Sequence, residues 1–160
     1  MITDRERHYM YLAIEQSLKG IEAKEGGPFG CIIVKGNEVV GSGHNRVLAT
    51  NDPTAHAEVV AIRLACIHLG SFQLDGCEVY CSCEPCPMCF GALYWARPEK
   101  IFFANTRHDA AAIGFDDDFI YRQLEQKDPG LQKIPMVRVE MSEAMHVFNY
   151  WKNLPDTGLY

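Results

Sequence analysis

Glu78-Val79-Tyr80-Cys81-Ser82-Cys83-Glu84-Pro85-Cys86-Pro87-Met88-Cys89 passes from strand chemistry to helix chemistry within twelve residues, and the fold is read outward from it. Glu78 to Cys81 reads as a short strand. Pro85 and Pro87, near a new first turn, open a helix through Phe90-Gly91-Ala92-Leu93-Tyr94-Trp95. The same order occurs upstream. Phe29 to Lys35 is a β-rich run that meets Glu38-Val39-Val40 across Gly36-Asn37, a hairpin signal predicting two adjacent antiparallel strands. The second strand continues through Gly41-Ser42-Gly43-His44-Asn45, whose glycines mark a place where another group approaches the backbone closely. Asn51-Asp52-Pro53-Thr54 then reads as a helix start, and that helix runs to Leu69-Gly70. Downstream, Arg97-Pro98-Glu99 ends the second helix and Lys100 to Ala104 forms the next strand. This β-α-β-α-β order predicts an α/β domain whose sheet contains parallel strands, with helices crossing its faces.

The flanks complete the outline. Thr3-Asp4-Arg5-Glu6 has capping-box spacing, and Met10, Ala13, Ile14, Leu18 and Ile21 recur at helical intervals to about Lys24. After Ala104, a short helix is expected over 108–113, and Asp116-Asp117-Asp118 begins another that runs through Gln126. Met136 to Glu140 alternates as a fifth and last strand, and a final helix spans roughly Ser142 to Asn153. The helices after Thr54 and after Pro85 are apolar on most faces, more than one side of a small sheet can cover, so a homo-oligomer is expected.

With 160 residues, 48% hydrophobic and 22% charged, the chain suits one domain, 1–160, with its own core. No apolar run approaches a membrane span, and Met1 to Glu6 lacks the layout of a secretory signal, so a cytoplasmic location is expected. A net charge of −6 with scattered Lys and Arg argues against nucleic acid as the main partner, since phosphate binding rests on clustered cations. Seven cysteines are an odd number, and four crowd into Cys81 to Cys89, which suits metal ligation better than a disulfide framework. Cys31, Cys66 and Cys77 read as small buried hydrophobes.

Cys86 and Cys89, three apart in a first helical turn, face the same way, and the helix N-terminus favours their thiolates. His56, at the other helix start, supplies a third ligand. One imidazole and two thiolates hold zinc with a fourth position open to water, as in catalytic rather than structural zinc sites. The metal would lower the pKa of that water, giving a hydroxide that attacks a ring carbon bearing an amino group, while Glu58 moves protons to the ring and the leaving amine. Residues two apart on an ideal helix do not share a face, so spacing alone does not bring Glu58 to the water. A structural zinc knuckle that also uses Cys81 and Cys83 is the competing reading, and it leaves His56-Ala57-Glu58 without a role. The other five histidines read as ordinary surface or core residues.

The pairing of His56-Ala57-Glu58 with Pro85-Cys86-Pro87-Met88-Cys89 resembles the cytidine-deaminase-like zinc hydrolases. Gly26 to Gly30, Asn51 to Glu58, Ser82 to Cys89, Tyr94 to Pro98, Gly114-Phe115-Asp116-Asp117 and Phe119 to Tyr121 make it most similar to the small bacterial guanine deaminases within them. The resemblance implies a three-layer α/β/α fold around a five-stranded mixed sheet. It implies one catalytic Zn2+ per subunit on His56, Cys86 and Cys89, with Glu58 and Asp117 catalytic, although the triple aspartate leaves the acting position open. Asn45, Phe29, Trp95 and Tyr160 would bind a small nucleobase, guanine, which becomes xanthine and ammonia. It further implies a homodimer whose C-terminal segments, about 135–160, are exchanged. Guanosine and tRNA adenosine are the rival substrates.

Overall fold

The computed structural model describes residues 2–128 and 133–155. The chain divides into two compact units, Met1–Asp117 and Asp118–Tyr160.

The first unit is built on strands β1 (Gly30–Lys35), β2 (Glu38–His44), β3 (Cys77–Cys83) and β4 (Lys100–Asn105), in spatial order β2-β1-β3-β4. β1 is antiparallel to both of its neighbours, while β3 and β4 are parallel, so the sheet is mixed as expected. One face is covered by α1 (Asp4–Glu22), whose N-terminus carries the complete Thr3/Glu6 capping box. Tyr9 and Ala13 of α1 pack on Ile32, Val34 and Tyr80. The other face, with Cys31, Ile33, Val79 and Cys81, is covered by α3 (Ala57–Leu69) and α4 (Pro87–Ala96). Alternate residues of the same strands thus serve two cores. That is the three-layer α/β/α arrangement.

The glycines of β2 are used by α3. A Cβ on Gly41 would lie 2.5 Å from the Ala61 carbonyl oxygen, and one on Gly43 would lie 2.6 Å from that of Ala57. Ala57, Ala61 and Ala65, one helical turn apart, are fully buried against this strand. Small residues on both partners bring the helix axis close to the sheet. The N-terminus of α3 therefore has a fixed height above the C-terminal end of β2.

Two expectations change. α3 begins at Ala57 rather than at Pro53. Asp52 instead closes an Asx turn, accepting the Thr54 backbone N–H at 2.8 Å and its hydroxyl at 2.7 Å. A short helix not foreseen, α2 (Val47–Thr50), precedes that turn.

The sheet has four strands, not five. Among the described residues, the run from Met136 to Glu140 pairs with no strand. Arg138 and Glu140, two apart, form a 3.1 Å ion pair, as an extended chain allows, but Val137 and Val139 are exposed. Alternation predicts which face a strand would bury; pairing also needs an adjacent free edge, and sequence does not encode one.

The first unit also contains α5 (Arg107–Ala112), started by a capping box of Thr106 and Asp109. The second unit carries α6 (Asp118–Glu125) and α7 (Ser142–Lys152), close to the predicted spans.

Candidate active site

His56 is the N-cap of α3, with extended dihedrals (φ −68°, ψ 157°), and Glu58 follows in the first turn. This resolves the facing problem that the spacing posed. Only Glu58 obeys the helical rotation, so the two side chains are free to converge. Cys86 is likewise the N-cap of α4 (φ −64°, ψ 168°), Pro87 sits at the first helical position, and Cys89 is buried three residues on. Both helices start beyond the C-terminal ends of strands, where open α/β sheets place their sites.

His56 Nδ1 lies 3.5 Å from the Cys86 sulfur and 3.5 Å from the Cys89 sulfur. Tetrahedral zinc, with Zn–N of ~2.0–2.1 Å and Zn–S of ~2.3 Å, sets N and S ligands about 3.5–3.6 Å apart. All three donor atoms lie within 4.8 Å of one another. They fit zinc by geometry and by chemistry. Contact with Cys89, and then His56 beside it, pushes the Cys86 thiol down to about 4, while the same contact with Cys86 and burial push the Cys89 thiol up, so that Cys89 holds its proton the more firmly. A divalent cation displaces such a proton on binding.

Glu58 is 7% exposed. Burial pushes its carboxyl above the ordinary range, and the negative charge of Cys86 pushes the same way, with Cys89 and His56 partly offsetting them. A carboxyl whose proton is held more firmly than usual beside a metal group is suited to accept and return a proton. Asp117 is half-buried, and its carboxyl is also raised, by desolvation first and then by the charge of Cys86. His56 in turn feels the charge of Asp117. Asp117 is thus electrostatically coupled to two members of the metal group, Cys86 and His56.

Asn45 is 5% exposed. Its Oδ1 accepts the Val47 N–H at 3.1 Å, which fixes the amide and leaves the NH2 as its donor end. Its backbone N–H donates to the Phe29 carbonyl at 3.0 Å, so Phe29 and Asn45 are neighbours. The ring of Phe29 meets Phe115 edge-on, with centroids 5.0 Å apart. Trp95 is in the last turn of α4, six residues after Cys89 and so roughly 9 Å further along the axis, and is 64% exposed. Tyr160 lies outside the described residues.

The sequence reading missed the cluster that holds Asn45 in place. Glu25 Oε2 accepts from His44 Nε2 at 2.7 Å and from Arg46 Nε at 2.9 Å, the residues on either side of Asn45. His44 had no periodic signal, and Glu25 ends a helix pattern before two glycines. Only their meeting in space reveals the contact. Glu84, next to the cysteine motif, accepts the Arg107 backbone N–H at 3.0 Å and so ties that loop to the start of α5.

Comparison with known proteins agrees with this geometry. Residues 3–105 match the family described as the cytidine and deoxycytidylate deaminase zinc-binding region. The chain is 47% identical over 152 residues to a guanine deaminase of Bacillus subtilis, covering 95% of this chain and 97% of that one. A tRNA-specific adenosine deaminase of Aquifex aeolicus is 41% identical over 113 residues, covering 69% and 74%. An X-ray structure of guanine deaminase from Bacillus subtilis superposes with a TM-score of 0.94 at 44% identity and covers 99% of both chains.

Proposed function

Because this chain belongs to the cytidine and deoxycytidylate deaminase zinc-binding family, we propose that it hydrolyses guanine to xanthine and ammonia. The observation that carries the choice of guanine is the full-length likeness to a guanine deaminase. It extends past residue 105, where the family match ends, across the segment that holds Asp117. The likeness to a tRNA-specific adenosine deaminase that also spans the whole chain is weaker, 32% identical against 47%, and the net charge of −6 does not favour a polyanion.

In this reading, water adds at the amino-bearing ring carbon, the bond from that carbon to the exocyclic nitrogen breaks, and ammonia leaves. His56, Cys86 and Cys89 would hold zinc, which when bound would supply a Lewis acid and bring the pKa of water toward neutrality. Glu58 takes the proton and returns it to the ring nitrogen, which its raised carboxyl suits. Asp117 is a second carboxylate for the protons that the departing amine requires. The NH2 of Asn45 donates to the purine, and Phe29 and Trp95 line the pocket.

The working form is a homodimer. Leu64 and Ile67 of α3, and Phe90 and Tyr94 of α4, are exposed in the single chain, and the two α4 rings already lean together at 4.5 Å. A second subunit covering these faces removes that apolar surface from water. The C-terminal segment, about 135–160, is exchanged between subunits, and Tyr160 is a substrate-binding residue; the exposure of Val137, Val139 and Phe148 in their own chain supports the exchange. A reducing, cytoplasmic setting suits seven free thiols. No helix among the described residues is long and apolar enough to cross a membrane.

Incubating the zinc-loaded protein with guanine, guanosine, adenine, cytosine, cytidine and tRNA, and following ammonia, tests the reading. Guanine is expected to turn over fastest. Release from cytidine or tRNA with none from guanine would refute it. Deleting the last residues should slow turnover, and unchanged kinetics would remove Tyr160 from the site.

A further inference from the structure

We propose that Phe115 and Gly27 are positioning residues: the Phe115 ring, seated over Gly27 and against Phe29, latches the 113–117 segment so that Asp117 is held at the metal group. This rests on Asp117 acting in the reaction.

Asp117 follows the end of α5, and that end is a Schellman motif. The Gly114 N–H donates to the Ala111 carbonyl at 3.0 Å, the Phe115 N–H donates to the Ala110 carbonyl at 3.0 Å, and Gly114 has φ +95°. This left-handed turn stops the helix and fixes the direction in which Phe115 leaves it. In such motifs the residue after the glycine usually packs back on its own helix. Here it packs on another loop. Phe115 meets Phe29 edge to face, with centroids 5.0 Å apart and planes at 89°.

The ring can sit this close because residue 27 has no side chain. A Cβ built on Gly27 would lie 2.9 Å from Phe115 Cζ, 3.1 Å from its Cε1 and 3.0 Å from Phe29 Cε2. Gly27 does not have positive φ, so the constraint there is space rather than backbone conformation. The segment is therefore pinned at Gly114 by backbone hydrogen bonds and at Phe115 by the ring. Asp117 is two residues beyond the second pin, so a lost ring contact would be transmitted to its carboxylate. The Phe29 carbonyl also accepts the Asn45 backbone N–H, which places the latch on the same loop that holds the residue assigned to read the base.

The test is a double-mutant cycle on the zinc-loaded enzyme with guanine. Asp117→Asn is the reference and should lower kcat by about 10²-fold, a typical share for a proton-transfer group. Phe115→Ala should lower kcat by ~10-fold or more, since displacement of a catalytic group by about 1 Å can cost that much. It should leave KM within about threefold because this reading gives Phe115 no substrate contact. Phe115 is 46% exposed, so the variant should fold and keep its zinc, which melting and metal content check. In the Asp117→Asn background, Phe115→Ala should cost nothing further. Gly27→Ala should also lower kcat, and Gly27→Ala with Phe115→Ala should be no worse than Phe115→Ala alone. Additive losses, or a rise in KM at unchanged kcat, would overturn the latch while leaving Asp117 in its role. If Asp117→Asn itself retained full kcat, the role of Asp117 would fall and the latch with it.

Discussion

Gly43→Ala should damage the metal site from beneath the helix that carries half of it. The added Cβ would sit 2.6 Å from the Ala57 carbonyl oxygen and 2.8 Å from the Ala61 nitrogen, whereas ordinary van der Waals contact begins at 3.4 Å. Both atoms are helix backbone and cannot rotate away. α3 must lift locally by about 0.8 Å, from 2.6 to 3.4 Å, or the strand must bend. Overpacking of this kind costs roughly 1–3 kcal/mol. Replacing glycine by alanine offsets about 0.4–1 kcal/mol through the unfolded chain. A net loss of about 1–2 kcal/mol should lower Tm by roughly 2–8 °C for a chain of this size. The lift matters more to the metal, because ligand positions are specified to about 0.2 Å and His56 is the residue next to Ala57. Zinc affinity should fall by about tenfold or more. Thermal melts and competition with a chromogenic chelator measure the two effects on one sample. Gly91→Ala is the control. A Cβ there meets nothing within 4 Å, and within α4 the change should stabilise by ~1 kcal/mol. A Gly43→Ala protein with native Tm and native zinc affinity would show that α3 is not seated on β2 as described.

Glu58→Gln should keep one zinc per chain and lose turnover by about 10²–10⁴-fold; persistent ammonia release would remove Glu58 as the proton carrier. Tyr94→Glu places a charge on the exposed apolar face of α4 and should shift the protein from dimer to monomer in sedimentation. An unchanged sedimentation coefficient would put the interface elsewhere. Glu25→Gln should lower the urea midpoint at pH 7. Hydrogen bonds from His44 and Arg46 hold the Glu25 carboxyl below its ordinary value of 4.5, so its contribution is present above that pH and lost as pH falls through the folded value. The gap between variant and parent should therefore close in acid, and a gap that widened there would contradict the pairing. Tyr80 works at the opposite end of the scale. Burial, and then its hydrogen bond with Glu78, push the phenol up to about 12. Stability should therefore fall between pH 10 and 12 as the unfolded chain releases that proton first, and Tyr80→Phe should flatten this alkaline limb.

What the sequence determined by itself is local in origin. The metal ligands were legible because ligand chemistry is written in residue type and short spacing, as in Cys86 and Cys89 at the start of one helix. The alternation of helices and strands was legible because backbone periodicity and capping act within a few residues, as in Thr3 with Glu6. Tertiary structure decided whatever depends on two distant segments meeting. Met136 to Glu140 has the pattern of a strand, yet the pattern is silent about whether an edge lies beside it. Asp117 was one of three equivalent aspartates until the fold set it near Cys86 and His56. Glu25, His44 and Arg46 converge on one carboxylate oxygen, and Phe115 comes to rest over Gly27, across separations in the chain that no periodicity spans. Likewise, the glycines of β2 showed that something approaches closely, and only packing identified it as α3, whose height above the sheet sets His56 and Glu58 in place.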